Sequence, residues 1–436
     1  MTDTYVQDPG RVRDLAADIR TGTLSPVTLT QRCLDRIEAI DDKVEAWRVV
    51  DGDRALEIAA EREAEAKAGH IRGPLHGIPV AIKDIIDVEG LPTRCNSRSR
   101  ERIAPATADA EIVAALRSAG AIPLGKAHTT EFAYFDPSPA RNPHNLEHTP
   151  GGSSSGSAAA VAAGMAPIAI GTQTVASVNR PAAYCGIAAF KPSTRSISSF
   201  GITPLAPGYD TAGTFGWSVD DAILCFEAIA PAFLRASPDA SATRPLSVIV
   251  PDDVLIADAG ADVKAALTKM ADAFSTAGHR VERRKSSVSF VRIAELQRTT
   301  HHYETGRALR YLQDVTRGMA GDKILEAVRD GLAIPTSRYL DERAEIEGLA
   351  RAFFAANADA DVFLWPATPE PAPKGLAWTG ERKYIAPWTA LGGPVVTVPA
   401  GKAANGLPIA TLLAGAPGTD RDICGFARRL ANVVGA

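Results

Sequence analysis

Apolar residues recur at helical spacing through the first part of the chain. Val12, Leu15 and Ile19 lie three or four positions apart, which is typical of an amphipathic helix with one buried face. The same pattern continues to about Lys67. The segment 1–72 is therefore predicted to form a helical flank to the core.

After this segment the pattern changes to short apolar runs, each bounded by glycine or proline. The first runs occupy residues 78–82, 122–124 and 168–170. Helical patterns separate them, and alternation of strands and helices favours an α/β structure. The segment 73–235 is predicted to contain the core, a large mixed β-sheet flanked by helices on both faces.

The next segment, 236–360, is more charged and mainly helical. It has one predicted strand at Leu246–Val250 and a long amphipathic helix pattern from Val254 to Gly278. Strand patterns return in 361–436. The chain is thus predicted to be a single domain, 1–436, interrupted by a helical insertion that covers the substrate.

Composition narrows the class of protein. The 436 residues are 45% hydrophobic and 22% charged, with a net charge of −4, which gives no attraction to nucleic acid or to an anionic membrane. The most apolar stretch, Ala158–Gly171, is shorter than the roughly 20 residues that span a bilayer. Five scattered cysteines without a CxxC motif and no signal-peptide pattern predict a cytoplasmic location.

Three local motifs suggest chemistry that their surroundings do not support. Gly120–Lys126 fits part of a phosphate-binding loop, but the next residue is alanine, so the Mg²⁺-binding hydroxyl is missing. His144 and His148 lie in a stretch rich in proline and asparagine, where a helical metal site is not expected. Gly152–Gly156 fits G-x-S-x-G, yet no buried strand precedes it, as a nucleophile elbow requires.

Three other segments carry a coherent set of reactive residues. They are an apolar strand that ends in Lys83, a glycine- and serine-rich turn that runs into a helix at 150–161, and a loop at 171–186 that follows a strand. A serine hydroxyl needs a base to become nucleophilic, and none of these segments offers a histidine for that role. A lysine can be the base only when burial keeps it neutral.

Together, these segments resemble the signature of the amidase signature family of serine hydrolases. The similarity extends from about Leu24 to Gly415, and the sequence around Ser177 resembles that of malonamidase-type hydrolases of small amides. The resemblance implies that Ser177 is the nucleophile, that Ser153, held by a cis peptide bond, is the bridging serine, and that Lys83 is the terminal base. It also implies an acyl-enzyme intermediate.

The resemblance further places an oxyanion hole in the backbone N–H groups of Thr174, Val175, Ala176 and Ser177. Relatives usually have two glycines where this chain has Val175-Ala176. A β-branched residue tolerates a positive φ poorly, so this departure puts the oxyanion hole in doubt.

Other residues in the matching segments are candidates for supporting roles. Ser154 and Ser155 are expected to support the reacting side chains or the fold. Arg180 is expected either to bind a substrate carboxylate or to brace the loop. Aromatic residues in segments that flank the family's active site suit an apolar or aromatic substrate: Tyr134, Phe135, Trp217, Trp365, Tyr384 and Trp388.

The resulting functional prediction is hydrolysis of a small or aromatic amide at its C–N bond. Carbamate or ester hydrolysis by the same side chains is an alternative. Two further alternatives are the A-type component of an amidotransferase, which needs partner chains, and a binding protein with impaired catalysis. No cofactor, metal, nucleic acid or membrane partner is predicted. The predicted partner is a small-molecule substrate, and a homodimer is the assembly suggested by the size of the chain.

Overall fold

The computed structural model describes residues 5–235, 244–315 and 318–436. Within these ranges the strands, named β1 to β11 in chain order, are Trp47–Val50, Pro79–Lys83, Ile122–Ala127, Ile168–Gln173, Ala188–Lys191, Thr211–Gly216, Ser247–Asp252, Arg280–Lys285, Val362–Pro366, Val395–Lys402 and Pro408–Ala414.

The α-helices of the described ranges are named α1 to α14 in the same way. They are Val12–Thr21, Pro26–Val44, Gly52–Lys67, Glu111–Ser118, Ser155–Ala162, Asn179–Cys185, Val219–Ile229, Val254–Ala257, Ala261–Thr276, Phe290–Ala308, Asp322–Ala333, Thr336–Ala356, Ala386–Leu391 and Asp420–Val434.

All of these strands belong to one sheet of mixed direction. Its order is β1-β3-β2-β4-β6-β5-β10-β11-β9-β7-β8. The pairs β3–β2, β2–β4, β9–β7 and β7–β8 are parallel, and the other neighbours are antiparallel. This arrangement confirms the predicted α/β class with a large mixed sheet.

Helices cover both faces of the sheet because successive side chains of a strand point to opposite sides. In β2, Val80 and Ile82 pack into one hydrophobic cluster, which also contains buried residues of α1 and α4. Ala81, between them, packs into a second cluster with α5 and α2. The stretch Ala158–Gly171 lies in this core, as most of α5 and the first part of β4.

The parallel pair β2–β4 sets the position of the predicted site. Val80, Ala81 and Ile82 lie opposite Ile168, Ala169 and Ile170. Parallel strands present their carboxyl ends at the same edge of a sheet, which is where α/β folds commonly bind ligands. Lys83 therefore emerges beside the end of β4 and the loop that follows it.

The insertion differs from its prediction in two places. The predicted helix Val254–Gly278 is broken into α8 and α9, because Gly260 has extended backbone angles and donates its N–H to Pro369 instead of a helical carbonyl. The charged segment Arg280–Lys285 was not predicted as a strand, yet it pairs with β7 at the edge of the sheet, where charged side chains remain in solvent. The predicted boundary at residue 236 lies outside the described residues.

None of the helices in the described ranges is both long enough and apolar enough to cross a membrane.

Candidate active site

Lys83, the last residue of β2, is fully buried beneath the predicted nucleophile loop. Its Nζ donates hydrogen bonds to Ser153 Oγ and to Thr172 Oγ1, both at 2.8 Å. Burial lowers the pKa of Lys83 from its ordinary 10.5 to about 7, against the opposing charge of Asp210. The amine is therefore available in its neutral form near neutral pH.

Thr172, near the end of β4, is a contact of Lys83 that was not predicted from the sequence. Its hydroxyl accepts from Nζ, and its carbonyl oxygen lies 3.4 Å from the same nitrogen. By contrast, the neighbouring buried Lys126 forms an ion pair with Asp84 at 3.0 Å. Lys83 has no carboxylate within 4 Å among the described residues. Its protonated form is therefore not stabilised by an ion pair at that distance.

Ser153 lies directly after a cis peptide bond that joins it to Gly152. Contacts on both sides fix this turn. The Gly152 carbonyl accepts from Arg180 Nη2 at 2.7 Å, and the Ser153 carbonyl accepts from the N–H of Thr130 at 3.1 Å. The Ser153 hydroxyl is thereby held next to Lys83.

Ser177 lies in the loop between β4 and α6 and lines a cavity at this edge of the sheet. Its carbonyl accepts from the N–H of Ser154 at 3.3 Å, which ties the loop to the serine-rich turn. The contacts of the described residues include no hydrogen bond between the Ser177 and Ser153 hydroxyls. The structure brings the three predicted residues to one site but shows only the link from Lys83 to Ser153 formed.

The loop that leads into Ser177 is fixed through its carbonyl groups. The carbonyls of residues 174 to 177 each accept one hydrogen bond, in order from Gln297 Nε2, Thr389 Oγ1, Arg180 N and Ser154 N. The backbone N–H groups of the same four residues have no acceptor within the described parts of the chain. They are available to a substrate oxygen.

Val175 and Ala176 adopt ordinary backbone angles. Neither is among the residues with a positive φ, so the glycines usual in relatives are not required by this conformation. Val175 is largely buried and packs into the largest hydrophobic cluster. The objection that a β-branched residue would distort this loop therefore does not apply.

Arg180 braces the site. Its two terminal nitrogens donate to the carbonyls of Gly152 and Gly380 and to Thr379 Oγ1. Two roles were expected for Arg180, and these contacts match the one in which it braces the loop. Burial lowers its pKa to about 10, which still leaves it charged at neutral pH.

Ser154 and Ser155, which follow Ser153 in the chain, are buried. The Ser154 hydroxyl donates to the Thr172 carbonyl at 3.3 Å, and the Ser155 hydroxyl bonds Ser138 Oγ at 2.7 Å. Neither residue lines the cavity next to Ser177. A buried Ser154 is not placed to act as the exposed nucleophile of an elbow motif.

The cavity beside Ser177 is narrow, with a volume of about 20 Å³. Tyr134 and Phe135 lie on its wall, as the sequence suggested. The full set of lining residues is Ala133, Tyr134, Phe135, Thr174, Val175, Ala176, Ser177, Arg180, Leu205, His301 and Arg382.

Trp365 is corrected from a predicted substrate-binding residue to a core residue. It is fully buried, stacks on Phe290 with ring centroids 4.7 Å apart, and donates its Nε1–H to the Tyr384 carbonyl. Trp388 belongs to the same aromatic cluster. Trp365, Tyr384, Trp388 and Trp217 do not line the cavity.

His301 was not predicted as a site residue. It is buried, lines the cavity and bonds the Gln297 carbonyl through Nδ1. His144 and His148 bond the carbonyls of Cys185 and Ala372. Among the described residues, no group of three or more His, Cys, Asp or Glu side chains is arranged to hold a metal ion.

Comparison with known proteins identifies the family of this chain. The family model described as Amidase matches residues 28–424, so the chain belongs to the amidase family. It is 31% identical to the A-type component of the glutamyl-tRNA(Gln) amidotransferase of Anaeromyxobacter sp. (strain K), over 97% of this chain and 96% of that protein. The corresponding protein of Roseiflexus castenholzii is 34% identical over 80% of this chain and 71% of its own length.

A solved structure gives the same result for the fold. The peptide amidase of Stenotrophomonas maltophilia superposes with a TM-score of 0.82 at 30% identity, covering 98% of this chain and 97% of that chain. The family and these neighbours make the chain an enzyme that acts on C–N bonds.

Proposed function

We propose that this protein hydrolyses the C–N bond of a small amide through Ser177, Ser153 and Lys83. The observation that carries the proposal is the buried Lys83, which has no carboxylate within 4 Å among the described residues, whose Nζ is 2.8 Å from Ser153 Oγ and whose pKa is about 7. A neutral amine held against a serine hydroxyl is suited to remove a proton from it.

In the proposed reaction, Ser177 Oγ attacks the carbonyl carbon of the substrate while its proton passes to Ser153, whose own proton passes to Lys83. Catalytic hydrogen bonds are often long before substrate binds, and the link between the two serines forms in the substrate complex. The tetrahedral oxyanion then accepts hydrogen bonds from the free N–H groups of residues 174–177.

Collapse of this intermediate breaks the C–N bond. The proton returns from Lys83 through Ser153 to the leaving nitrogen, so that the amine departs neutral and an acyl group remains on Ser177. Water, deprotonated by the same relay, then attacks the ester and releases the carboxylic acid. Each hydrogen-bond donor to the oxyanion is worth about 2.7–4 kcal/mol of transition-state stabilisation.

The cavity supports a substrate of limited size. The narrow cavity favours a small acyl group, and the rings of Tyr134 and Phe135 on its wall would pack against an apolar or aromatic substituent. Amides, carbamates and esters share the carbonyl centre that this site would attack. Matched substrates with one acyl group and different leaving groups would rank the three by kcat/KM.

A covalent label tests the assignment of Ser177. The purified protein is treated at pH 8 with a fluorophosphonate, and the modified peptide is identified by mass spectrometry. We expect the adduct on Ser177, strongly reduced in Lys83→Ala and retained in Ser275→Ala, whose side chain is exposed on α9 and does not line the cavity.

Two other outcomes would contradict the proposal. An adduct on Ser154 would support the nucleophile-elbow alternative. Absence of any serine adduct, in protein shown to be folded by circular dichroism, would favour a binding protein without catalysis.

A second candidate function is supported by the sequence comparison. The near-complete alignment with the A-type component of an amidotransferase makes this chain a candidate member of such an assembly. Ammonia release from glutamine and from simple amides by the purified chain would distinguish the two. Turnover of simple amides by the chain alone favours the independent amidase, whereas release only from glutamine, and only with partner chains, favours the assembly.

A further inference from the structure

Arg382 lies where the cavity beside Ser177 meets a larger groove of about 610 Å³. It was not predicted as a site residue from the sequence. It is partly buried, and its guanidinium lies over the ring of Phe135, 4.3 Å from the centroid. Arg382 is thus a cation placed at the entrance to the proposed reaction centre.

The guanidinium of Arg382 lacks the partner that a buried cation usually has. Its Nη1 is buried and forms no hydrogen bond, and no carboxylate of the described residues lies within 4 Å of it. The adjacent Glu381 is engaged elsewhere, since its carboxylate accepts from the backbone N–H groups of Arg382 and Lys383. A buried donor without a partner is costly, so an acceptor from a ligand would be stabilised there.

The cavity itself is positively charged. Its lining residues include Arg180 and Arg382 but no aspartate or glutamate. Burial, together with the charges of His302 and Arg382, lowers the pKa of His301 well below its ordinary range, so that this histidine adds no charge at neutral pH. An anionic ligand therefore meets two cations and no opposing carboxylate on the wall.

The loop that carries Arg382 is fixed on both sides. Arg180 donates to the Gly380 carbonyl and to Thr379 just before it. Trp365 donates to the Tyr384 carbonyl just after it, at 2.9 Å. A cation on an anchored loop binds a ligand with little additional loss of conformational freedom.

We infer that Arg382 binds a carboxylate carried by the substrate, so that the preferred amides are anionic. This inference rests on the proposed function, because it assigns the second functional group of the same substrate. The guanidinium donates charge-assisted hydrogen bonds to the carboxylate, from a geometry that Phe135 maintains by stacking. Arg382 would accordingly determine specificity rather than take part in bond cleavage.

Ligand binding to a protein that cannot turn over tests this inference without depending on catalysis. Calorimetric titration of Ser177→Ala compares succinamate and glutaramate, which carry a carboxylate, with 4-oxopentanamide, a neutral analogue of the first. We expect whichever of the two anions binds more tightly to have an affinity about 10- to 100-fold higher than that of the neutral amide. This is the effect expected of a hydrogen bond to a charged group.

Two further variants assign this preference to Arg382. Ser177→Ala/Arg382→Met should lose it, and Ser177→Ala/Arg382→Lys, which keeps the charge, should retain part of it. Ser177→Ala/Arg298→Met is the matched control, because Arg298 lines only the larger groove and is exposed. The control should keep the preference in full, and thermal melts check that each variant is folded.

The possible failures are distinguishable. Equal affinity for charged and neutral amides, no detectable binding of either anion, or a preference that survives Arg382→Met would each overturn the role of Arg382. Anion selectivity that depends on Arg382 in a wild-type protein unable to hydrolyse any of these amides would refute the proposed function and leave the carboxylate site standing.

Discussion

The pH dependence of hydrolysis is the most direct consequence of the buried lysine. Lys83 can accept a proton only when it is neutral, and burial sets its pKa at about 7 instead of 10.5. With that pKa, about one-tenth of the protein carries neutral Lys83 at pH 6 and about nine-tenths at pH 8. The rate should therefore rise about tenfold over this interval and then level off.

An unburied lysine would behave differently. With a pKa of 10.5, the neutral fraction at pH 8 would be only about 0.3%, and the rate would rise about 100-fold between pH 6 and 8 without a plateau below pH 10. The sign is the same in both cases, since loss of a proton creates the base. The position of the plateau separates them.

The assay is kcat/KM for one amide, measured from pH 5.5 to 9.5 at constant ionic strength, because kcat/KM reports the ionisations of the free enzyme. A substrate without an ionisable group in this range keeps the profile attributable to the protein. A rate that is flat from pH 5.5 to 8, or that still rises tenfold per pH unit at pH 9, would refute the assignment of Lys83 as a base with a depressed pKa.

The contacts around the site lead to three more expectations. Thr172→Val removes an acceptor of the Lys83 ammonium, so the inflection of the pH–rate profile should move below that of the wild type, whereas an unchanged inflection would show that this contact does not tune the pKa. Arg180→Met leaves the carbonyls of Gly152 and Gly380 without their donor, and urea unfolding should show a loss of about 2 kcal/mol in the free energy of unfolding; equal stability would mean that water replaces the guanidinium. All five cysteines are buried, and burial raises their pKa values. A thiol-specific disulfide reagent should therefore modify none of them within minutes in the native protein and all five in denaturant. Rapid reaction of any one would indicate local opening.

The sequence predicted those parts of the structure that depend on local patterns. The strands β2 and β4 appear as short apolar runs between glycine and proline, and Lys83 ends the first of them. Ser177 was assigned from the resemblance to the amidase signature family. Edge strand β8 was missed because its six residues are mostly charged. At a sheet edge such a sequence is compatible with a strand, since only one side must pair.

The contacts that tune the site could not be read from the sequence. Thr172 meets Lys83 only because β2 and β4 pair in one particular register, and register between parallel strands is set by the whole sheet. Arg382 lies about 200 residues after Arg180, yet the loop before it is held by that arginine. Trp365 was wrongly predicted to bind substrate because an aromatic residue has the same sequence pattern in a core as in a pocket.

The loop before Ser177 is compatible with the proposed oxyanion hole although it contains no glycine. In a planar trans peptide, the carbonyl of one residue and the N–H of the next point in opposite directions. The carbonyls of Thr174, Val175 and Ala176 are all held by donors of the surrounding protein. The N–H groups of Val175, Ala176 and Ser177 must then point the other way. Residues 174–177 line the cavity. Gln297, Thr389 and the first turn of α6 thus fix the orientation of the amides through their carbonyl groups. A positive φ, which would favour glycine, is therefore unnecessary.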